Sequence, residues 1–242
     1  MDLATQTPRV AQHIYLAGRH EQLDGRNCPS KQPFSGCSVE VIPIGLDLET
    51  WRPVPKAAAR DALGLPIDQP IVLLVAINPF RKRKGFELFA TMCRVLRQRT
   101  VSKEPFAVIV GADTPSENLD LGLPTRYFGR LNDDISLALA YSAADVTVVP
   151  SLQEAFGKTA LESLACATPV VCFDTGGLRD IVDHRETGFK SSPGNAESLA
   201  EGVQWILENQ AQRERAREAA EDRFSLRRQA ETYIRLYQRL AR

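Results

Sequence analysis

The sequence predicts a doubly wound, parallel α/β sheet, and three observations point there. Short apolar runs alternate with helix-period stretches over about 170 residues from position 39 onward, the rhythm of strands joined by right-handed helical crossovers. The run 71–77 is apolar throughout, as for a strand buried on both faces. Breaker residues follow each run in turn, among them Gly111, Gly129, Pro150 and Gly176-Gly177.

Residues 1–38 stand apart. They mix Gly, Pro, Asn, Gln and Ser without a sustained period and read as irregular, with a short helix around 10–16. Residues 39–42 form a brief strand, and a turn runs from Pro43 to Asp47. A short helix over 56–63 is closed by Gly64. After the strand 71–77, residues 86–99 are helical, with Phe86, Phe89, Met92, Cys93 and Leu96 on one stripe. Strands at 106–110 and 125–128 follow. An apolar helix at 134–143 leads into the strand 145–149, which Pro150-Ser151 ends. Gly157 permits a sharp turn into a helix over 158–167. A strand at 169–173, a Gly176-Gly177 turn and a helix at 178–182 come next. Asn195 is placed to cap a helix over 195–208. Lys, Arg and Glu crowd 213–223, which reads as a solvated helical face. Ser225 starts a last helix to Leu240, whose stripe is Ala230, Tyr233, Ile234, Tyr237 and Leu240. The expected organisation is an irregular segment 1–38, a nucleotide-binding unit 39–224 and a terminal helix 225–242.

Composition removes several classes of function. Among 242 residues, 43% are hydrophobic and 25% charged, which is ordinary for a globular chain. Thirty Lys and Arg balance thirty Asp and Glu, against a nucleic-acid partner or a membrane surface. No apolar run is long enough to span a bilayer, and no secretory leader is visible. Cys28, Cys37, Cys93, Cys166 and Cys172 form no C-x-x-C pair, and His13, His20 and His184 are scattered. No metal site and no bound cofactor are expected, and the expected location is cytoplasmic.

Chemistry concentrates after the strand 145–149. Glu154 and Glu162 bracket a turn and a helix start, and the first N–H groups of a helix lack internal partners and attract anions. Lys158, Thr159 and Glu162 share one face of that helix, off the inward stripe of Leu161 and Leu164. A carboxylate there cannot hold phosphate. It suits a vicinal diol, whose two hydroxyls can donate to its two oxygens. On a helix, glutamates are ordinarily just solvated. Here they follow a buried strand, at the edge where such sheets bind ligands.

The run Arg81-Lys-Arg-Lys-Gly85 lies at another strand end beside a helix start. Taken alone it reads as a solvated basic loop or a nucleic-acid patch. Its position favours phosphate, with at least one of Arg81, Arg83 and Lys84 in contact. Gly111 and Gly129-Arg130 fall on the same sheet edge. Gly176-Gly177 lacks the full G-x-G-x-x-G, so a nicotinamide oxidoreductase has little support. No Ser-His-Asp or Cys-His arrangement is present.

These residues, in order, resemble a known pattern. Val41-Ile-Pro-Ile-Gly-Leu-Asp47, Arg83-Lys-Gly85, Gly129-Arg130, Asp145-Val-Thr-Val-Val-Pro-Ser151, Glu154-Ala-Phe-Gly157, Glu162, Thr168-Pro-Val-Val171, Gly176-Gly177, Ile181-Val182, Glu186-Thr-Gly188 and Pro193-Gly194 are similar to the C-terminal half of a retaining GT-B glycosyltransferase, family 4 or group 1. The resemblance covers 39–242 and implies a Rossmann-like fold and transfer of a hexose from a UDP-, GDP- or ADP-sugar to a carbohydrate acceptor. By that resemblance Glu162 holds the ribose hydroxyls. Glu154, with the backbone of Phe156 and Gly157, meets the donor sugar. The backbone at Lys158 and Thr159, Lys84 and an arginine (Arg81 or Arg83) hold the diphosphate, with Gly129 and Arg130 nearby. Glu154, Lys84 and Arg83 carry the catalysis, without a metal.

The sequence departs from the pattern in three places. The loop 78–84 is longer, Ile77 stands where the family often has Arg, and Ile44 where it usually has Asn. Residues 1–38 are also too short for the acceptor-binding half of such enzymes. The resemblance therefore implies an N-terminal-domain partner or a homodimer covering the stripe of the last helix. The rival readings are a nucleotide-sugar-binding module without activity of its own and an epimerase of the same fold.

Overall fold

The computed structural model describes residues 15–16, 40–99, 103–113, 120–209 and 211–241. Its body is a six-stranded parallel sheet of β3 (Ile71–Val75), β4 (Phe106–Val110), β5 (Thr125–Tyr127), β6 (Val146–Val149), β7 (Val170–Phe173) and β8 (Gly188–Ser191). Their spatial order is β5-β4-β3-β6-β7-β8. The chain thus builds outward in one direction from β3, then returns and builds outward in the other from β6. Between β3 and β6 the order reverses, and the crevice beyond their C-terminal ends is where such sheets take ligands.

Two helical layers cover the sheet, and the strands show why. Ile71 and Leu73 of β3 enter one core, while Val72 and Leu74 enter the other. Val170 and Cys172 of β7 likewise oppose Val171 and Phe173. Alternating side chains point to opposite faces, so a strand covered on both must be apolar at every position. On the first face lie α1 (Lys56–Ala62), α3 (Asp134–Ala143), α4 (Lys158–Ala165), the short α5 (Leu178–Ile181) and α7 (Gln212–Phe224). Opposite them lie α2 (Phe86–Gln98) and α6 (Ala196–Glu208). Asn195 caps α6 as expected, accepting from the Ser198 N–H at 3.0 Å. Cys93, Cys166 and Cys172 are buried free thiols. Burial pushes the latter two up to about 12, which keeps them protonated and inert.

Four expectations need correction. Tyr15–Leu16 is not helical but a two-residue strand, β1, parallel to β2 (Glu40–Val41); the rest of 1–39, with His13, His20, Cys28 and Cys37, lies outside the described residues. Residues 188–191, read only as part of a motif, add the sixth strand, because pairing with β7 compensates their weak strand pattern. The 213–223 helix is solvated on one side only: Ala216, Ala220 and Phe224 of α7 are buried. Glu162, expected to turn away from the packed stripe, is itself buried. The last helix, α8 (Leu226–Leu240), is capped by Ser225 and buries Leu236, while Ile234, Tyr237 and Leu240 stay exposed.

At the edge of the sheet opposite the crevice, one carboxylate collects several donors. Asp145 accepts from Lys56 Nζ at 2.5 Å, Arg60 Nη2 at 2.6 Å and the Ile71 N–H at 2.7 Å. Arg60 is buried and also donates to the carbonyls of Ala143 and Ile67. Asp145 therefore anchors α1 to the starts of β3 and β6, and its part in the Asp145–Ser151 run is structural. Removing one partner of a buried pair leaves the other charge uncompensated. Asp145→Ala is expected to cost about 3–5 kcal/mol in urea unfolding, and a loss within experimental error would contradict this role.

Candidate active site

The crevice at the switch point is a cavity of about 550 Å3. Its floor is the C-terminal end of β3 and β4, at Val75, Ala76, Val110 and Gly111. One wall comes from the loop after β3, with Asn78, Arg81, Arg83 and Lys84. The other comes from the first turns of α4 and α3, with Lys158, Thr159, Glu162, Asp134 and Leu137, and from Arg130 after β5.

The two loops that flank the switch point are joined to each other. Lys84 Nζ lies 2.8 Å from Glu154 Oε2, with both side chains largely buried. The Leu152 N–H donates to the Arg83 carbonyl at 2.9 Å. Gly85 sits between them with φ +70°, and a Cβ on it would stand 2.0 Å from the Pro150 carbonyl oxygen. Glycine alone accepts that backbone and that proximity. Lys84 is thus held in the cleft wall by a residue of the opposite loop, rather than waving in solvent as basic-loop lysines do. Arg81 and Arg83 are exposed and line the same cleft.

Helix α4 starts abruptly. Gly157 precedes it in the left-handed conformation (φ 101°), and no side chain caps it. Its leading N–H groups therefore face the cleft alongside Lys158 and Thr159, a suitable seat for an anion. One turn on, Glu162 is 8% exposed. Tyr141 Oη of α3 donates to its Oε2 at 3.0 Å, and Lys158 Nζ lies 3.4 Å from Oε1. Burial raises the Glu162 pKa, and Lys158 and the Tyr141 hydroxyl offset only part of that rise. A desolvated carboxylate that lines a cleft is a candidate functional group.

Of the residues singled out in the sequence, Arg81, Arg83, Lys84, Arg130, Lys158, Thr159 and Glu162 line this one cleft. Glu154 reaches it through Lys84. Gly157 opens α4, and the Phe156 ring is buried in the core, 6.4 Å from that of Phe224. Gly129 closes β5 by its bridge to Ala112. Gly176 and Gly177 back the 154–156 backbone, where a Cβ on Gly176 would meet the Glu154 carbonyl at 2.0 Å. Sequence reasoning missed Asn78, Asp134, Leu137 and Tyr141. The last three recur at i, i+3 and i+7 along α3, a helical face the pattern contains but does not aim. Among the described residues no group of three or more His, Cys, Asp or Glu is placed to hold a metal, and no helix is long and apolar enough to cross a membrane.

Comparison with known proteins gives consistent results. Residues 56–223 match the family model described as glycosyl transferases group 1. A D-inositol 3-phosphate glycosyltransferase of Thermobispora bispora is 39% identical over 162 residues, covering 62% of this chain and 38% of the relative. Among solved structures, sucrose-phosphate synthase from Thermosynechococcus elongatus superposes with a TM-score of 0.72 at 33% identity, over 84% of this chain and 53% of that one. Anabaena HepE, solved in complex with UDP and glucose, matches in fold with a TM-score of 0.67 at 23% identity, over 83% of this chain and 57% of that one. The chain thus spans less than two thirds of the length of each of these proteins.

Because the folded state raises the Glu162 pKa above its ordinary value of 4.5, ionising it disfavours the fold. The penalty is absent below the unfolded pKa, grows as pH rises towards the folded one and is complete above it. Glu162→Gln is therefore expected to be as stable as the parent or more so at neutral pH, with the difference vanishing in acid. A pH series of melting curves checks this; destabilisation that deepens as pH rises would contradict it.

Proposed function

The chain belongs to the glycosyl transferases group 1 family, and on that premise we propose that it is the donor half of a retaining hexosyltransferase that works without a metal. The donor is a UDP-, GDP- or ADP-sugar and the acceptor a carbohydrate. One observation carries the reading: a single cleft sets a buried carboxylate, Glu162, beside an uncapped helix start and faces both with Arg81, Arg83 and Lys84. A nucleoside diphosphate has the matching order of groups. Its ribose diol meets Glu162, and its phosphates meet the amides of Lys158 and Thr159 and the cations of the opposite loop.

The chemistry follows from where charge develops. Breaking the bond between sugar and diphosphate leaves positive charge on the sugar and negative charge on the leaving group. Cations and N–H dipoles fixed towards the leaving group act more strongly in the transition state than before it. Lys84 and Arg83 take that role, and Arg81 and Arg130 add positive potential along the cleft. Glu154, together with the backbone at Phe156 and Gly157, faces the sugar. The ion pair with Lys84 gives Glu154 a second effect, since it aims the cation that meets the diphosphate. The HepE complex makes UDP the first nucleotide to test, and the inositol phosphate relatives make a hydroxylated ring the first acceptor to test.

The share of the relatives' length that this chain spans favours a second reading. In that reading the chain holds the nucleotide sugar and transfers nothing until an acceptor-binding half, a partner subunit or a second copy, docks against the exposed face of α8. Turnover of labelled donor, with and without such a half, separates the two.

A nucleotide at a hundredfold excess over its dissociation constant is expected to stabilise the chain by about 2.7 kcal/mol. For a chain of this size that is a rise in melting temperature of roughly 5–10 °C. No rise with UDP, GDP or ADP at millimolar concentration would overturn the reading. Glu154→Ala is expected to weaken binding of the nucleotide sugar more than that of the free nucleotide. Calorimetry showing equal losses for UDP-glucose and UDP would remove Glu154 from the sugar.

A further inference from the structure

Tyr141 is a large side chain with no exposure to solvent. Its ring packs on that of Trp51, with centroids 6.0 Å apart, and its hydroxyl donates to Glu162 Oε2 at 3.0 Å. It does not line the cleft; Glu162 does. Tyr141 meets the cleft from behind, through two residues that line it: Glu162, and the Thr159 side chain, which also hydrogen-bonds its hydroxyl.

An ionised carboxylate accepts at about four lone-pair sites. The tyrosine hydroxyl fills one of them from the core side, on Oε2. Oε1 is left facing Lys158 Nζ at 3.4 Å, from a lysine side chain that is 64% exposed and free to swing aside. Among the described residues, the titratable groups that act on Glu162 are Lys158 on its own helix, the Cys166 thiol just past that helix's end, and Tyr141 and Asp134 on α3. Asp134 repels the ionised form, and Lys158 attracts it from solvent. Tyr141 is the buried donor among them. Its own ionisation is pushed far up by burial and by Glu162, so it remains a donor throughout the working pH range.

We propose that Tyr141 is a positioning residue of the nucleotide site, holding Glu162 ionised and turned so that Oε1 faces the ribose diol. The inference rests on the reading of Glu162 given above. Without the hydroxyl, desolvation meets only a mobile lysine, and protonation of Glu162 becomes easier. A protonated carboxyl offers one acceptor fewer to a diol that presents two donors. Its side chain also loses the contact that selects one rotamer.

Tyr141→Phe removes one oxygen, with its bonds to Glu162 and to the Thr159 side chain, and keeps the ring, its contact with Trp51 and the backbone carbonyl that accepts from Thr168 Oγ1; the Glu162 titration reads the first loss separately from the second. Glu162 is followed by carboxyl-carbon NMR, its signal identified by loss in Glu162→Gln, and affinities for UDP, GDP and ADP are measured in mildly acidic and mildly alkaline buffer. In Tyr141→Phe the Glu162 titration is expected to move to higher pH. Nucleotide affinity is expected to fall roughly tenfold, the scale of one hydrogen bond to a charged group, with the larger loss in acid. A titration that does not move, or an affinity loss equal at both pH values, overturns the positioning role. Unchanged affinity in Glu162→Gln, or no binding of any of the three nucleotides by the parent chain, overturns the reading of the site and the role of Tyr141 with it.

Discussion

The site depends on a clasp across the point where the sheet reverses. Parallel strands bring the loops after β3 and β6 side by side, but proximity alone would leave two mobile loops over an open crevice. Three contacts at successive positions fix them: the Leu152 N–H on the Arg83 carbonyl, Lys84 on Glu154, and Gly85 against Pro150. A side chain on Gly85 would push the loops apart, and parted loops would leave Lys84 and Glu154 as partly buried charges without a partner. The basic loop is thus shaped by the acidic one, and both point the same way into the cleft.

That geometry concentrates unlike groups in a small volume. Cations gather on the loop wall, while Glu162 lies in the helical wall at a cost in desolvation that the fold sustains. The contrast with Asp145 is instructive. Both are carboxylates fixed by helices, but Asp145 faces Lys56, Arg60 and a backbone N–H at the far edge of the sheet, where its donors are satisfied within the fold. Glu162 has one buried donor and one exposed lysine, so accepting capacity remains at the edge where ligands enter. The first arrangement stabilises the fold; the second suits the ligand role proposed for Glu162.

Helix α8 adds a feature of a different kind. Leu236 and the backbone bonds between Leu46 and the α7–α8 junction dock it onto the body. Ile234, Tyr237 and Leu240 remain exposed along its outer side. An amphipathic helix ordinarily buries its apolar side, and the proposed acceptor half is the partner that would cover it.

Much of this was legible in the sequence. The all-apolar 71–77 run, set among alternating helical stretches, points to a strand buried on both faces of a parallel sheet with two helical layers, and the strand itself stops at Val75. Positions 81–84 and 158–162 fall at strand ends by chain order alone, so their meeting at one edge follows from topology. Local periodicity could not give β8, whose Gly188, Lys190 and Ser191 carry little strand preference and become a strand by pairing with β7. It could not give the buried side of α7, where alanines among many charges are enough because α4 approaches closely. Nor could it show that Glu162 is buried or that Tyr141, 21 positions earlier, holds it. Spacing along the chain states which residues share a face of one helix. How two helices lean on the same sheet, and which side chains then touch, is set by packing, and there the tertiary structure alone decides.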